Sequence, residues 1–177
     1  MNLLIYIKSF FQVVKELRKQ QQFNKSFLSD YLLELESKYQ GKFSDEQRFK
    51  IEKYYGLLIG PILCGTYKML YGSEFTEEER KRATLFGILT PVGDDLFDVF
   101  HLPIEKITKL TFDPANYDAR IFAEQVVKEI QTFLLETVPN KSAYIAASKD
   151  VLDLQVATAE QTKPTIEYQL LEEITFK

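Results

Sequence analysis

Apolar residues recur every three or four positions along most of the chain and seldom alternate one-for-one with polar ones. That period is a helix's; a half-buried strand would alternate with a period of two. Residues 2–22 read as an amphipathic helix, with Leu3, Ile7, Phe10, Phe11, Val14 and Leu17 on one side and Lys8, Lys15, Arg18 and Lys19 elsewhere. Ser26 to Tyr39 gives a second helix, with Phe27, Tyr31, Leu32 and Leu35 together and Gly41 as the expected stop. Ser44-Asp45-Glu46-Gln47 is a capping-box start. From it a long helix should run to Tyr71-Gly72, with Glu46, Arg48 and Lys50 facing solvent at its start. Gly56, Gly60 and Gly65 punctuate it, and Pro61 should kink or break it. Thr76-Glu77-Glu78-Glu79 opens another helix with acids in the first turn, as the helix dipole prefers. It runs to Asp98 through Pro91, which should bend it.

Beyond it, residues 104–110 form a short helix and Asp113-Pro114-Ala115-Asn116 a turn. Residues 117–138 show a clear amphipathic period, closed by Pro139-Asn140. Asn140 or Ser142 starts a helix through Thr162, and Pro164-Thr165 opens the last, residues 166–177. With no strand alternation and no internal repeat, the expectation is one all-α domain over residues 1–177, built as a helical bundle.

Composition narrows the function. The 177 residues are 45% hydrophobic, enough for a real core. A net charge of −4 with no basic run argues against nucleic acid as a partner. The lone cysteine, Cys64, rules out an internal disulfide, and the lone histidine, His101, weighs against a zinc site or a His-based triad. No stretch reaches the roughly 20 apolar residues of a membrane span. The N-terminus lacks a basic region and a small-residue cleavage site, so a cytoplasmic protein is expected. The first helix carries basic residues among aromatic and aliphatic ones. Packing on the bundle is the plainer reading of it, and peripheral membrane contact the sharper one.

Candidate chemistry concentrates at Gly93-Asp94-Asp95-Leu96-Phe97-Asp98. Asp94 and Asp98 are four apart and share a helix face; Asp95 lies about 100° round. Like charges at that spacing repel, and they lie near a helix C-terminus, where negative charge is disfavoured. A cation would offset both costs. Hard oxygen donors without cysteine or clustered histidine suit Mg²⁺, which takes one or two carboxylates and completes its shell with water and phosphate oxygens. Behind Asp94 on the same face lie Thr90, Gly87 and Ala83, all small. They allow either tight packing against a neighbouring helix or a cavity below the carboxylates.

The sequence Asp94-Asp95-Leu96-Phe97-Asp98 at the end of an apolar helix resembles the first aspartate-rich motif of class I isoprenoid synthases, the trans-prenyltransferases and terpene or squalene synthase relatives. The resemblance implies a helical bundle of that type, acting on an allylic prenyl diphosphate. Asp94, Asp95 and Asp98 would be catalytic, with Asp94 and Asp98 holding Mg²⁺ and Asp95 a ligand or orienting group. Leu89 and Thr90 would take the positions that limit chain length. Phe86, Phe97 and Phe100 would be candidates to stabilise a carbocation. Near the end, Gln155 and Gln161 fall where the family has a glutamine-bearing helix, and Lys177 matches its diphosphate-binding lysine. His101 is a further phosphate contact to consider.

Two departures qualify the likeness. The family's second acidic segment is not in this chain, so the resemblance covers about the first half of a synthase. No arginine pair follows the motif in residues 99–109. That favours a cyclase, a head-to-head condensing relative or a divergent synthase over simple chain elongation. Two alternatives stand beside the enzyme: a non-catalytic helical module binding a lipid or a partner protein, and an all-α divalent-metal protein of other chemistry. A half-bundle should also leave one side apolar and uncovered, predicting self-association, a homodimer included.

Overall fold

The computed structural model describes residues 3–159. Among them every regular element is helical. They are α1 (Leu3–Phe23), a wide-turned π stretch (Asn24–Leu28), α2 (Ser29–Tyr39), α3 (Asp45–Phe49), a second π stretch (Lys50–Ile59) and α4 (Gly60–Leu70). Then come α5 (Glu77–Asp98), α6 (Ile104–Phe112), a 3-10 turn (Pro114–Asn116), α7 (Phe122–Thr137) and α8 (Lys141–Ala159). The all-α expectation holds. The helix expected over residues 166–177, with Gln161 and Lys177, lies outside the described residues. No described helix is long and apolar enough to cross a membrane.

Helix α5 organises the packing, against the second π stretch on one side and α7 on the other. Leu28, Leu32, Leu35, Ile51, Leu85, Ile88, Leu96, Leu110 and Ile130 form the solvent-free centre of the core. The capping boxes at Ser44 and Thr76 both form, with Gln47 and Glu79 as reciprocal partners. Helix α5 continues through Pro91, which is buried, to Asp98.

The expected break near residue 24 and the break at Pro61 take another form. The chain stays helical through both regions but widens into π turns, which leave backbone carbonyls poorly paired. In the π register the carbonyl of Gly56 faces residue 61, a proline with no N–H to give. Side chains fill the gap: Gln20 Nε2 donates to Gly56 O at 3.0 Å and Asn24 Nδ2 at 3.2 Å. The same Gln20 amide nitrogen reaches Thr84 Oγ1 at 2.9 Å, and its oxygen accepts from Arg80 Nη1 at 2.9 Å. Arg80 is buried, paired to Glu16 at 2.7 Å and laid over the Phe75 ring. A polar seam thus ties α1 and the π stretch to α5.

Two termini also differ from expectation. Gln40, not Gly41, takes the left-handed position after α2, with φ of 50°. Gly41 is required for a different reason: a Cβ there would sit 2.2 Å from the Phe122 ring. Helix α7 starts at Phe122 rather than 117 because buried Glu124 gathers the chain ahead of it. Its carboxylate accepts from the Arg120 amide at 2.6 Å, the Ile121 amide at 3.1 Å and the Tyr117 hydroxyl at 2.6 Å. Asn140 caps α8 through Ala143 N at 3.0 Å.

Several large apolar side chains among the described residues are exposed. On and just after α4, Leu63, Tyr67, Leu70 and Tyr71 are all exposed, Leu70 at 78%, and Phe10 and Phe11 of α1 are exposed too.

Candidate functional site

Helix α5 presents two faces. Arg80, Thr84, Gly87, Pro91 and Asp95 follow one helical row toward the π stretch and α3. Glu79, Arg82, Phe86, Leu89, Gly93 and Phe97 follow another row, and that row is the floor of a cleft of about 820 Å³. Helix α4 supplies one wall through Leu63, Cys64, Tyr67 and Lys68. Helix α8 supplies the other through Tyr144, Ala147, Ser148, Val151, Leu152 and Gln155, spaced as one helical stripe. Helices α6 and α7 close the depth with Ile107, Leu110, Val127 and Leu134. Leu63, Phe86 and Val151 keep 65%, 44% and 53% of their surface exposed, so the cleft opens to solvent between α4 and α8.

Of the small residues behind Asp94, Ala83 and Thr90 line the cleft, whereas Gly87 does not. A Cβ at Gly87 would lie 2.8 Å from the Tyr55 carbonyl oxygen and 3.1 Å from the Gly56 nitrogen. Both readings of the stripe therefore apply, at different positions. Leu89, Thr90, Phe86 and Phe97 all line the cleft. Phe100 is not among its lining residues and is exposed. His101 sits after the helix at φ of 48°, with Nδ1 3.2 Å from the Phe97 carbonyl oxygen, and is likewise outside the lining.

The three aspartates separate. Asp94 stands at one end of the cleft, where Gln155 Nε2 donates to its Oδ1 at 3.0 Å. Partial burial, and then the charges of Asp98 and Asp95, hold its carboxyl above the usual carboxylate range; Gln155 and the Lys50 charge pull the other way without cancelling this. Asp98 lies one turn on and is exposed. Asp95 turns toward α3, where Gln47 Nε2 donates to it while Gln47 Oε1 accepts from the Ser44 amide. Asp95 thus fastens the end of α5 to the start of α3.

Among the described residues no three His, Cys, Asp or Glu side chains converge on a metal position. Asp94 and Asp98 are two carboxylates four residues apart on α5. The cleft's interior polar groups are mutually satisfied. Tyr144 donates to Gln131 Oε1, and Gln131 Nε2 donates to the Thr111 carbonyl at 3.3 Å. Burial pushes the Tyr144 hydroxyl up to about 12, so it stays protonated as a donor.

Sequence reasoning passed over Arg80, Gln20 and Glu124 as functional to the fold, and Arg82 as a residue of the cleft. The arginines were legible only as a charged turn early in α5. Their opposite destinations follow from the 100° step between successive helix positions. Comparison of the chain with protein-family models, with curated proteins and with solved structures gives no match.

Proposed function

We propose that this protein binds one elongated apolar ligand in the α4–α8 cleft. The observation that carries the proposal is the cleft itself. Its volume falls in the range of small-molecule sites, about 300–1,000 Å³, and its lining is mainly aliphatic and aromatic, with charged groups at its ends and mutually bonded polar groups within. Binding would cover lining side chains that now face water, at roughly 25 cal/mol for each Å² of apolar area removed. The test is displacement of a neutral environment-sensitive dye by a prenyl alcohol. A Thr90→Phe variant places a ring on the cleft floor. Saturable displacement by the alcohol, lost in Thr90→Phe while the thermal melt is kept, is the expected result. Displacement that Thr90→Phe leaves unchanged would reject the site.

A second reading is favoured by one specific feature, the Asp94–Asp98 pair on α5, with Asp94 in the lining of an apolar cleft and Asp98 exposed one turn beyond it. It is the Mg²⁺-dependent synthase chemistry that the motif resembles. In that reading Asp94 and Asp98 hold Mg²⁺, which would bridge and neutralise the diphosphate of a prenyl substrate. Leu89 and Thr90 flank the chain, Phe97 lies beside the reacting end, and Phe86 lies farther along the floor. The tertiary arrangement of an isoprenoid synthase bundle, the cytoplasmic setting and any homodimer belong to the same reading. Thermal stability with Mg²⁺ alone, prenyl diphosphate alone and both together tests it. Stabilisation that needs both ligands, and is lost in Asp94→Asn and Asp98→Asn, supports it. Prenyl diphosphate binding unaltered in both variants sinks it and leaves the binding module.

A further inference from the structure

The cleft has two charged ends, and they differ in how far their hydrogen-bonding capacity is used. Asp94 is held by Gln155 at one end. At the other stand Lys68, Glu79 and Arg82. Lys68 Nζ is paired to Glu79 Oε1 at 3.0 Å, and Glu79 also accepts from the Thr76 amide and hydroxyl at 2.9 Å, so that pair is self-contained. Arg82 is different. Its side chain is only 16% exposed, yet among the described residues Nη1 makes both of its contacts: a long hydrogen bond to the Thr137 carbonyl at 3.4 Å and a 3.7 Å approach to Glu78, itself 87% exposed. Nε and Nη2 donate to no described residue. Arg82 itself lines the cleft. Arg80, two positions earlier, shows the contrast: its guanidinium engages Gln20, Glu16 and the Phe75 face.

A guanidinium offers a rigid fork of donors that matches a carboxylate or phosphate. Withdrawn from water on the wall of an apolar cleft, it favours a ligand that is anionic at that point. From Arg82 to Asp94 is twelve helical steps, about 18 Å along α5, and the floor between them carries Phe86, Leu89, Thr90 and Gly93. We propose that the cleft's ligand is a single-chain amphiphile with an anionic head, carboxylate or phosphate, seated on Arg82 beside Lys68, its chain running along α5 toward Asp94. This rests on the reading of the cleft as an apolar-chain site. It also reverses the polarity of the synthase reading, in which the head lies at Asp94.

The experiment compares dodecanoate, dodecyl phosphate, dodecanol and dodecylamine as competitors of a neutral dye, at one salt concentration and with a chelator present so that no metal serves Asp94. Both anions should bind roughly tenfold or more tighter than the alcohol, the size expected of a charged hydrogen bond in a sheltered site. Dodecylamine should bind no better than the alcohol. In Arg82→Gln the anions should fall to the alcohol's affinity while the alcohol's own affinity holds, and Arg82→Lys should recover part of the preference. The ratio of anion to alcohol is read within each variant, so a modest loss of stability does not obscure it. Whichever anion gains more identifies the head class. Equal binding of anions and alcohol by the unaltered protein, or an equal loss for all competitors in Arg82→Gln, overturns the head-group assignment and leaves the apolar site standing. No binding of any competitor, the alcohol included, overturns both.

Discussion

The carboxylate of Asp94 is held where its charge is costly, and removing that charge should make the protein more stable. Asp98 lies four residues on along the same helix, a like-charge spacing that costs about 0.2–0.5 kcal/mol. Asp94 is also near the C-terminal end of α5, where the dipole penalty for a negative charge is about 0.3–1 kcal/mol. Lys50 offsets part of this. In Asp94→Asn the side-chain oxygen still accepts the Gln155 amide, so the 3.0 Å hydrogen bond survives the change. The net gain is about 0.5–1 kcal/mol at neutral pH, a rise in Tm of roughly 1–4 °C for a chain of this length.

The pH dependence fixes the cause. The folded-state pKa of Asp94 lies above its ordinary value of 3.8, raised by burial and by Asp98 and Asp95. The unfolded chain therefore gives up this proton more readily, and ionisation favours unfolding. The cost is absent below the ordinary pKa and becomes complete as pH rises through the folded one. Urea unfolding of both proteins with a chelator present should show the Asn variant ahead at about pH 7, with its lead shrinking toward about pH 4. Adding Mg²⁺ should narrow the gap only if Asp94 binds it. An Asn variant less stable than its parent at neutral pH, or a lead that widens on acidification, would refute the electrostatic account.

Two further outcomes test the scaffold. Gly87→Ala places a methyl group 2.8 Å from the Tyr55 carbonyl oxygen, a backbone atom that cannot step aside cheaply; overpacking of about 1–3 kcal/mol should exceed the roughly 1 kcal/mol gained in helix propensity, and the urea midpoint should fall without a change in slope. Tyr117→Phe removes the 2.6 Å hydrogen bond to buried Glu124 and should cost about 1–2 kcal/mol. The hydroxyl and the Arg120 and Ile121 amides outweigh burial and hold Glu124 below its ordinary 4.5, so its contribution is present above that pH and lost as pH falls through the folded value. The variant's acid limb should accordingly be shallower in urea titrations against pH.

The helices themselves were legible because each is written locally. Ser44 and Thr76 announce α3 and α5 through capping boxes that need only four residues, and the apolar period of α7 survives any change of partner. What failed was written over distance. The start of α7 waits for Glu124, which collects the Arg120 and Ile121 amides before the helix can begin. The second π stretch has no period of its own to read, since its Gly56 carbonyl is satisfied by Gln20 and Asn24, more than thirty positions away in the chain. Gly41 looked like a helix stop because glycine usually is one, while the ring that demands it, Phe122, is eighty-one positions away.

The candidate site divides the same way. Asp94 and Thr90 were nameable from helical spacing and Leu89, Phe97 and Gln155 from the resemblance, and all line the cleft because α5 and α8 each present one helical stripe to it. Asp95 was read with the other two aspartates, but a helix step of 100° carries it onto the row that packs against α3, a consequence visible only when α3 is in place. Arg82 was missed for the converse reason. Beside Arg80 and Lys81 it reads as one charge in a solvated turn, yet Arg80 is drawn into the seam with Glu16 and Gln20 while Arg82 turns to the cleft. The seam fixes the rotation of α5 about its own axis: with Arg80 and Thr84 tied to Gln20, and Gly87 pressed on Tyr55, the opposite row has no orientation left except toward α4 and α8. The apolar cleft, with Asp94 at one end and Arg82 at the other, is thus a consequence of how the polar side of α5 is anchored. On the proposed reading of the cleft, a change in that seam should alter dye displacement without touching a single cleft residue.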